Sequence, residues 1–164
     1  TPLTEAYDAT MYIYDSSRSG YTNRRISVAY QLLEKERKPA SYDAVIMYFN
    51  PNQATFVSYT CDSNYSSLKD GSQAFNGTLV FNFYDELAKD NFSYSTIELD
   101  PNINGSDLAI SAVWQHSYSK LSIGFELNPS ISYSSKDGFT GAIGANISFD
   151  TNELVWQLSD AGYY

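Results

Sequence analysis

The segment Asp100-Pro101-Asn102-Ile103-Asn104-Gly105-Ser106-Asp107 sets oxygen-bearing side chains at alternate positions and includes a glycine where a sharp turn needs one. Hard cations such as calcium want several carboxylate and carbonyl oxygens converging on one point, and a D-x-[DN]-x-[DN]-G run opens such a loop. The twelfth position is Ser111, where the EF-hand form supplies a bidentate Glu, and no flanking helix is expected. Asp100, Asn102, Asn104 and Asp107 are the ligands expected if calcium binds. The same residues also make an ion-free Asx-type turn between two strands.

A second constellation is aromatic. Trp114, His116 and Tyr118 alternate on one face of one expected strand, and Tyr12 and Tyr14 on a face of another. Flat rings at a sheet surface stack on sugar faces while His, Asn and Asp tips meet hydroxyls, so these five residues are the candidate carbohydrate-binding positions. Rings of this kind also favour strands because they fit a pleated, half-buried surface, which makes core packing the competing account.

Acid–base chemistry has little to work with. His116 is the sole histidine, and no Gly-x-Ser-x-Gly elbow accompanies the abundant Ser and Asp, so a rim histidine hydrogen-bonded to a neighbour is expected instead of a catalytic base. A glycosidase needs two facing carboxyl groups. Glu98 and Glu126 lie within expected strands, but alternation puts them opposite the more apolar face, where solvation explains them. The chain therefore reads as a non-enzyme, with glycoside hydrolysis the one catalytic route left open. Gly138, Gly141 and Gly144 are spaced along a strand and make no phosphate-binding loop.

The elements that must position these groups are strands. Phe139, Gly141, Ile143, Ala145, Ile147 and Phe149 share one face of residues 139–149, and residues 107–118 and 120–127 alternate in the same way. Further strands are expected at 11–15, 44–49, 54–60, 77–84, 92–99, 130–135 and 154–158. Residues 25–38 read as a strand to about Leu33, although Leu32 to Lys38 also has strong helix propensity. Asn50-Pro51-Asn52, Asn128-Pro129 and Lys136-Asp137-Gly138 read as hairpin junctions. Residues 85–91 have room for one helical turn, and residues 62–76 form the longest polar connection, expected to be a mobile loop. About ten to eleven short antiparallel strands in a single domain over 1–164 imply an all-β fold, a jelly-roll-like sandwich or a closed barrel.

Composition narrows the partners. The chain has 164 residues, 10 Lys+Arg against 19 Asp+Glu, and a formal charge of −9. Phosphate neutralisation by Lys and Arg dominates nucleic-acid affinity, so nucleic acid is not an expected partner. No apolar run suits a transmembrane helix. The imbalance is uneven: residues 1–40 carry six basic against five acidic groups, or +1, and residues 41–164 carry four against fourteen, or −10. All four arginines, Arg18, Arg24, Arg25 and Arg37, lie in the first segment, a basic strip able to meet an acidic neighbour or a second copy.

The lone Cys61 forbids an internal disulfide framework. A surface drawn from 23 Ser, 15 Tyr and 12 Asn, with Asn-x-Ser/Thr triplets at Asn64, Asn76, Asn91, Asn104 and Asn146, hints at a secreted or cell-surface location. The start Thr1-Pro2-Leu3 has neither Met nor a signal pattern, as after removal of a leader or a trimmed start. The reading that results is an exported module binding carbohydrate or another cell-surface ligand, without cofactor unless calcium binds. One alternative is a structural or adhesive subunit assembling through strand edges and the Tyr-rich surface, including Tyr163 and Tyr164. The other is a small outer-membrane β-barrel, against which Asp160 stands among the supposed lipid contacts of the last strand.

Overall fold

The computed structural model describes residues 9–33, 42–102, 108–117, 123–125, 147–149 and 154–164. Eleven strands run through them: β1 (Ala9–Asp15), β2 (Arg24–Leu32), β3 (Asp43–Phe49), β4 (Ala54–Cys61), β5 (Ser66–Asp70), β6 (Thr78–Phe83), β7 (Ser93–Pro101), β8 (Ala109–Ser117), β9 (Ile123–Phe125), β10 (Ile147–Phe149) and β11 (Leu154–Tyr163). They form a four-stranded sheet, β1-β2-β7-β4, a five-stranded sheet, β11-β8-β3-β6-β5, and the small pair β10-β9. Every ladder is antiparallel. The fold is an antiparallel β-sandwich.

Period-two patterning explains why these segments pair as they do. On β2 the inward set is Ile26, Val28, Tyr30 and Leu32, all fully buried, which settles residues 25–32 as strand. Val45, Met47 and Phe49 of β3, Leu79, Phe81 and Phe83 of β6, Ile97 and Leu99 of β7, and Ile110 and Trp114 of β8 meet them in one core. Each large side chain so buried contributes about 1.5–3 kcal/mol relative to leaving it in water. Trp114 and Tyr30 lie 5.5 Å and 4.8 Å from the Phe83 ring, both steeply inclined to it, the geometry aromatic quadrupoles favour. All seven residues of β3 are buried, so this central strand is covered on both faces.

The closed barrel is not what the described residues build. No ladder joins one main sheet to the other, and the apolar rows face each other across a filled core instead of pointing outward as lipid contacts would. No helix among the described residues is long and apolar enough to cross a membrane.

Connections depart from a meander. The Asn50 turn, closed by Asn52 N–H donating to Asn50 Oδ1 at 2.9 Å and Gln53 N–H to Asn50 O at 3.0 Å, carries the chain from one sheet to the other. It is not a hairpin, because β3 already has β6 and β8 on its two sides. The polar connection 62–76 is not one loop either: Ser66–Asp70 adds β5 to the edge of the second sheet, and Ala74–Asn76 makes a 3₁₀ turn. An edge strand needs only one apolar face, so its composition reads as loop. Asp85–Ala88 forms the expected single helical turn. The junctions at 128–129 and 136–138, the strand at 130–135 and the possible helix at 34–38 lie outside the described residues.

Candidate functional site

Two groups of side chains stand out, one on a sheet face and one inside the core. The outer face of β1-β2-β7-β4 is assembled by register. Tyr12 stands opposite Ala29, which stands opposite Tyr94. In the next row Tyr14 faces Ser27, Ser27 faces Thr96, and Thr96 faces Thr60. Small central residues leave a floor between flanking rings. Ser27 Oγ shares hydrogen bonds with Ser16 Oγ at 2.7 Å and with Thr96 Oγ1 at 2.6 Å, so the floor is a chain of hydroxyls. Tyr14, Tyr94 and Arg25 wall a shallow depression of about 280 Å³ over it.

The aromatic rim is accessible. Tyr12 is 46% exposed, Phe92 43% and Tyr94 40%. Tyr12 packs 5.7 Å from Tyr14 and edge-on to Phe92 at 6.2 Å, so the rings form one patch. The arginines of the basic strip differ in their partners. Arg18 pairs with Glu98 at 3.0 Å and lies 4.0 Å over the Tyr21 ring, and Arg24 pairs with Asp15 at 2.7 Å. Partial burial raises the Asp15 carboxyl, but hydrogen bonds from Ser17 and Arg24 outweigh it and hold the group below the usual range. The guanidinium of Arg25 has no hydrogen bond or ion pair among the described residues.

The interior group gathers at one end of the core. Asp43 opens β3, Asp85 begins the helical turn after β6, and Trp114 and His116 project from the inner face of β8. Trp114 Nε1–H donates to Asp43 Oδ2 at 2.9 Å, and His116 Nδ1 lies 2.9 Å from that same oxygen and 3.0 Å from Oδ1. Asp85 Oδ2 is 3.4 Å from His116 Nδ1. All four side chains are at most 3% exposed. Burial first, and the Asp43 carboxylate second, push the Asp85 carboxyl up to about 7 against the pull of His116.

The residues singled out from sequence are thereby divided. Tyr12 and Tyr14 do share an outer face. Trp114 and His116 cannot serve as a sugar platform, because they are inside the core; His116 is hydrogen-bonded to a neighbour as expected, but it is buried and not at a rim. Tyr118, Glu126, Asn104 and Asp107 lie outside the described residues, while Asp100 and Asn102 are exposed at the end of β7. Glu98 is on the outer face, engaged by Arg18. Sequence reasoning placed Arg25 in the basic strip without singling it out, and passed over Tyr94, Asp43 and Asp85. Asp43 did leave a signal: an acid heading the wholly apolar run Ala44–Phe49 is carried into the interior and must find a partner.

No protein-family model and no curated protein matches the sequence. Among solved structures, a cohesin module from the family 33 glycoside hydrolase of Clostridium perfringens ATCC13124 is similar over 95% of this chain and 94% of that one, at 11% identity and a TM-score of 0.50. The seventh ScaB type I cohesin from Pseudobacteroides cellulosolvens is similar over 66% of this chain and 79% of that one, at 8% identity and a TM-score of 0.40. The first likeness is one of fold, an antiparallel sandwich.

Proposed function

We propose that the chain is an exported, non-catalytic assembly module that docks a partner protein on the outer face of β1-β2-β7-β4. The observation that carries this reading is the pairing of an exposed aromatic patch, Tyr12, Phe92 and Tyr94, with Arg25, whose guanidinium has no hydrogen bond or ion pair among the described residues. Tyr and Arg are the residues that most often anchor protein interfaces: each brings large contact area with a polar tip, and each holds its shape at modest entropic cost. The fold likeness to a cohesin module, a building block of a larger protein, supports the same reading.

Strand edges serve it less well than the face. The edge strands β4, β5 and β11 each carry a register shift, and the fourth, β1, has the backbone N–H of Ile13 occupied by the Asp160 carboxylate. Bulges and capping side chains are how sheets blunt edge pairing. A sugar ligand has lost Trp114 and His116 as its platform.

The test compares the unmodified chain with a Tyr12→Ser/Tyr94→Ser variant, both shown folded by circular dichroism. Each is cross-linked to the secreted proteins of its own source and mapped by mass spectrometry, with a glycan array in parallel. A protein cross-linked to β1, β2 or β7 and lost from the variant supports docking on this face. Cross-links confined to strand edges, or glycan binding removed by the same substitutions with no protein captured, overturn it.

A further inference from the structure

We propose that Asp43, Asp85 and His116 form the binding site of one first-row divalent metal ion, of the zinc class, held inside the sandwich. None of its ligands belongs to the docking face, and Asp100 and Asn102 lie exposed at the end of β7.

Three elements that are far apart in sequence bring one ligand atom each to within 4.8 Å of one another: the start of β3, the turn after β6 and the end of β8. The separations of His116 Nδ1 from Asp43 Oδ2, 2.9 Å, and from Asp85 Oδ2, 3.4 Å, bracket the edge of about 3.3 Å that metal–ligand bonds of about 2.0–2.1 Å set in a tetrahedral site. The two carboxylates lie within 4.8 Å of each other, so an ion seated here would draw them together.

A second observation points to a missing partner. Asp85 is 1% exposed and its Oδ2 faces this cluster, yet its Oδ1 is buried without a well-formed hydrogen bond, the backbone N–H groups of Asp85 and Glu86 near the carboxyl helping only weakly. A buried polar atom left unsatisfied costs about 1–3 kcal/mol in mutational data. A cation at the centre would compensate the Asp85 carboxylate. Asp43, by contrast, is held in place by the indole N–H of Trp114 at 2.9 Å, the kind of outer hydrogen bond that orients a metal-ligating carboxylate.

The donor set selects the ion. One imidazole nitrogen with two carboxylates suits zinc and its first-row neighbours. Calcium wants about six to eight oxygen ligands at about 2.3–2.6 Å, which three donors including a ring nitrogen do not supply. Ligation through Nδ1 leaves the ring proton on Nε2. With its ligands buried, the ion would act as an internal brace joining β3, β8 and the turn after β6.

The experiment strips the full chain with a chelator and dialyses it against ZnCl₂, with CaCl₂ alongside. Bound metal is measured by mass spectrometry and stability by thermal unfolding. The expected result is about one zinc per chain, no calcium at this site, and a rise in Tm of about 5–10 °C at a hundredfold excess over Kd. Asp85→Asn, nearly the same size and shape, weakens zinc at least about tenfold, and Asp100→Asn leaves it unchanged. Should Asp85→Asn fail to fold, Co²⁺ added to the unmodified chain reports directly: visible bands of a low-coordinate nitrogen–oxygen site support the assignment. Substoichiometric zinc with no cobalt bands, or zinc lost through Asp100→Asn and kept by Asp85→Asn, overturns it.

Discussion

The carboxylate of Asp160, on β11, accepts the backbone N–H of Ile13, on β1, at 3.1 Å, tying the edge of one sheet to the edge of the other. Tyr164, the residue after that strand, adds to the tie, its hydroxyl donating to Ile13 O at 3.4 Å. An acid on the inward face of the last strand is thus an edge cap. Asp160→Ala would leave the Ile13 amide, in a residue only 7% exposed, without its partner. The expected cost is about 1.5–3 kcal/mol, the range for a hydrogen bond to a charged group. Urea unfolding measures it, and amide exchange at Ile13 should accelerate while exchange in β3 changes only by the global loss of stability. Unchanged exchange at Ile13 would mean that the cap does not hold the edge.

Gly77 follows the 3₁₀ turn with φ +93°, and a Cβ built there would sit 2.2 Å from Phe49 O. The close approach has a use: Phe49 N–H donates to Gly77 O at 2.9 Å, locking the end of β3 against the start of β6. Gly77→Ala therefore combines backbone strain with a clash against a carbonyl that cannot move without breaking the ladder. A loss of at least about 2 kcal/mol is expected, seen as a fall in Tm of about 4–8 °C. Gly20 is the internal control, with φ +84° but nothing within 4 Å of the added Cβ. Gly20→Ala should cost about 1 kcal/mol, from strain alone.

These elements show what alternation in a sequence does and does not carry. Ile26, Val28, Tyr30 and Leu32 alternate with polar or small residues, which marks one face of β2 as interior, yet the helix-favouring run from Leu32 to Lys38 blurred that signal in the sequence. On β8 the same periodicity is uninformative about side. Val113 and Gln115 are as buried as Trp114 and His116, so a strand covered on both faces gives an aromatic row the same look whether it lines a surface or a core. Partners are illegible for a related reason: a period of two fixes the face of a residue and says nothing about its neighbour strand. That is why the Asn50 turn read as a hairpin and why Asp43, Asp85 and His116 could not be joined before the topology was known.

Arg25 separates docking from stability. Its guanidinium holds no internal ion pair among the described residues, whereas Arg18 and Arg24 are paired with Glu98 and Asp15. Arg25→Ala should leave the unfolding midpoint within about 0.5 kcal/mol of the unmodified chain. Binding of a docked partner should fall about tenfold or more and lose part of its dependence on salt, since an interface arginine acts through charge as well as contact. Titration calorimetry at two ionic strengths reads both effects. Loss of stability without loss of binding would place Arg25 in the scaffold instead.

Tyr30 is expected to set the alkaline limit of the fold. Its ring is fully buried and its hydroxyl is shared with Ser66 Oγ at 2.7 Å and Ser95 Oγ at 2.8 Å, which joins β2, β5 and β7 through one phenol. Burial pushes that phenol up to about 12 from its ordinary value near 10, outweighing the serine hydrogen bonds. The sign follows from which state holds the proton. Between those two values the folded chain keeps the proton and the unfolded chain releases it, so the contribution is complete below about pH 10 and is lost as pH rises toward 12. The loss amounts to about 2–3 kcal/mol by pH 12. Tyr30→Phe costs about 1–3 kcal/mol at neutral pH, because Ser95 loses the bond to Tyr30 while Ser66 keeps Ser93 Oγ. Because the chain carries fifteen tyrosines, the informative quantity is a difference. From pH 8 to 11.5 the urea midpoint of the unmodified chain should fall further than that of Tyr30→Phe, and parallel curves would show that this phenol does not govern the alkaline transition.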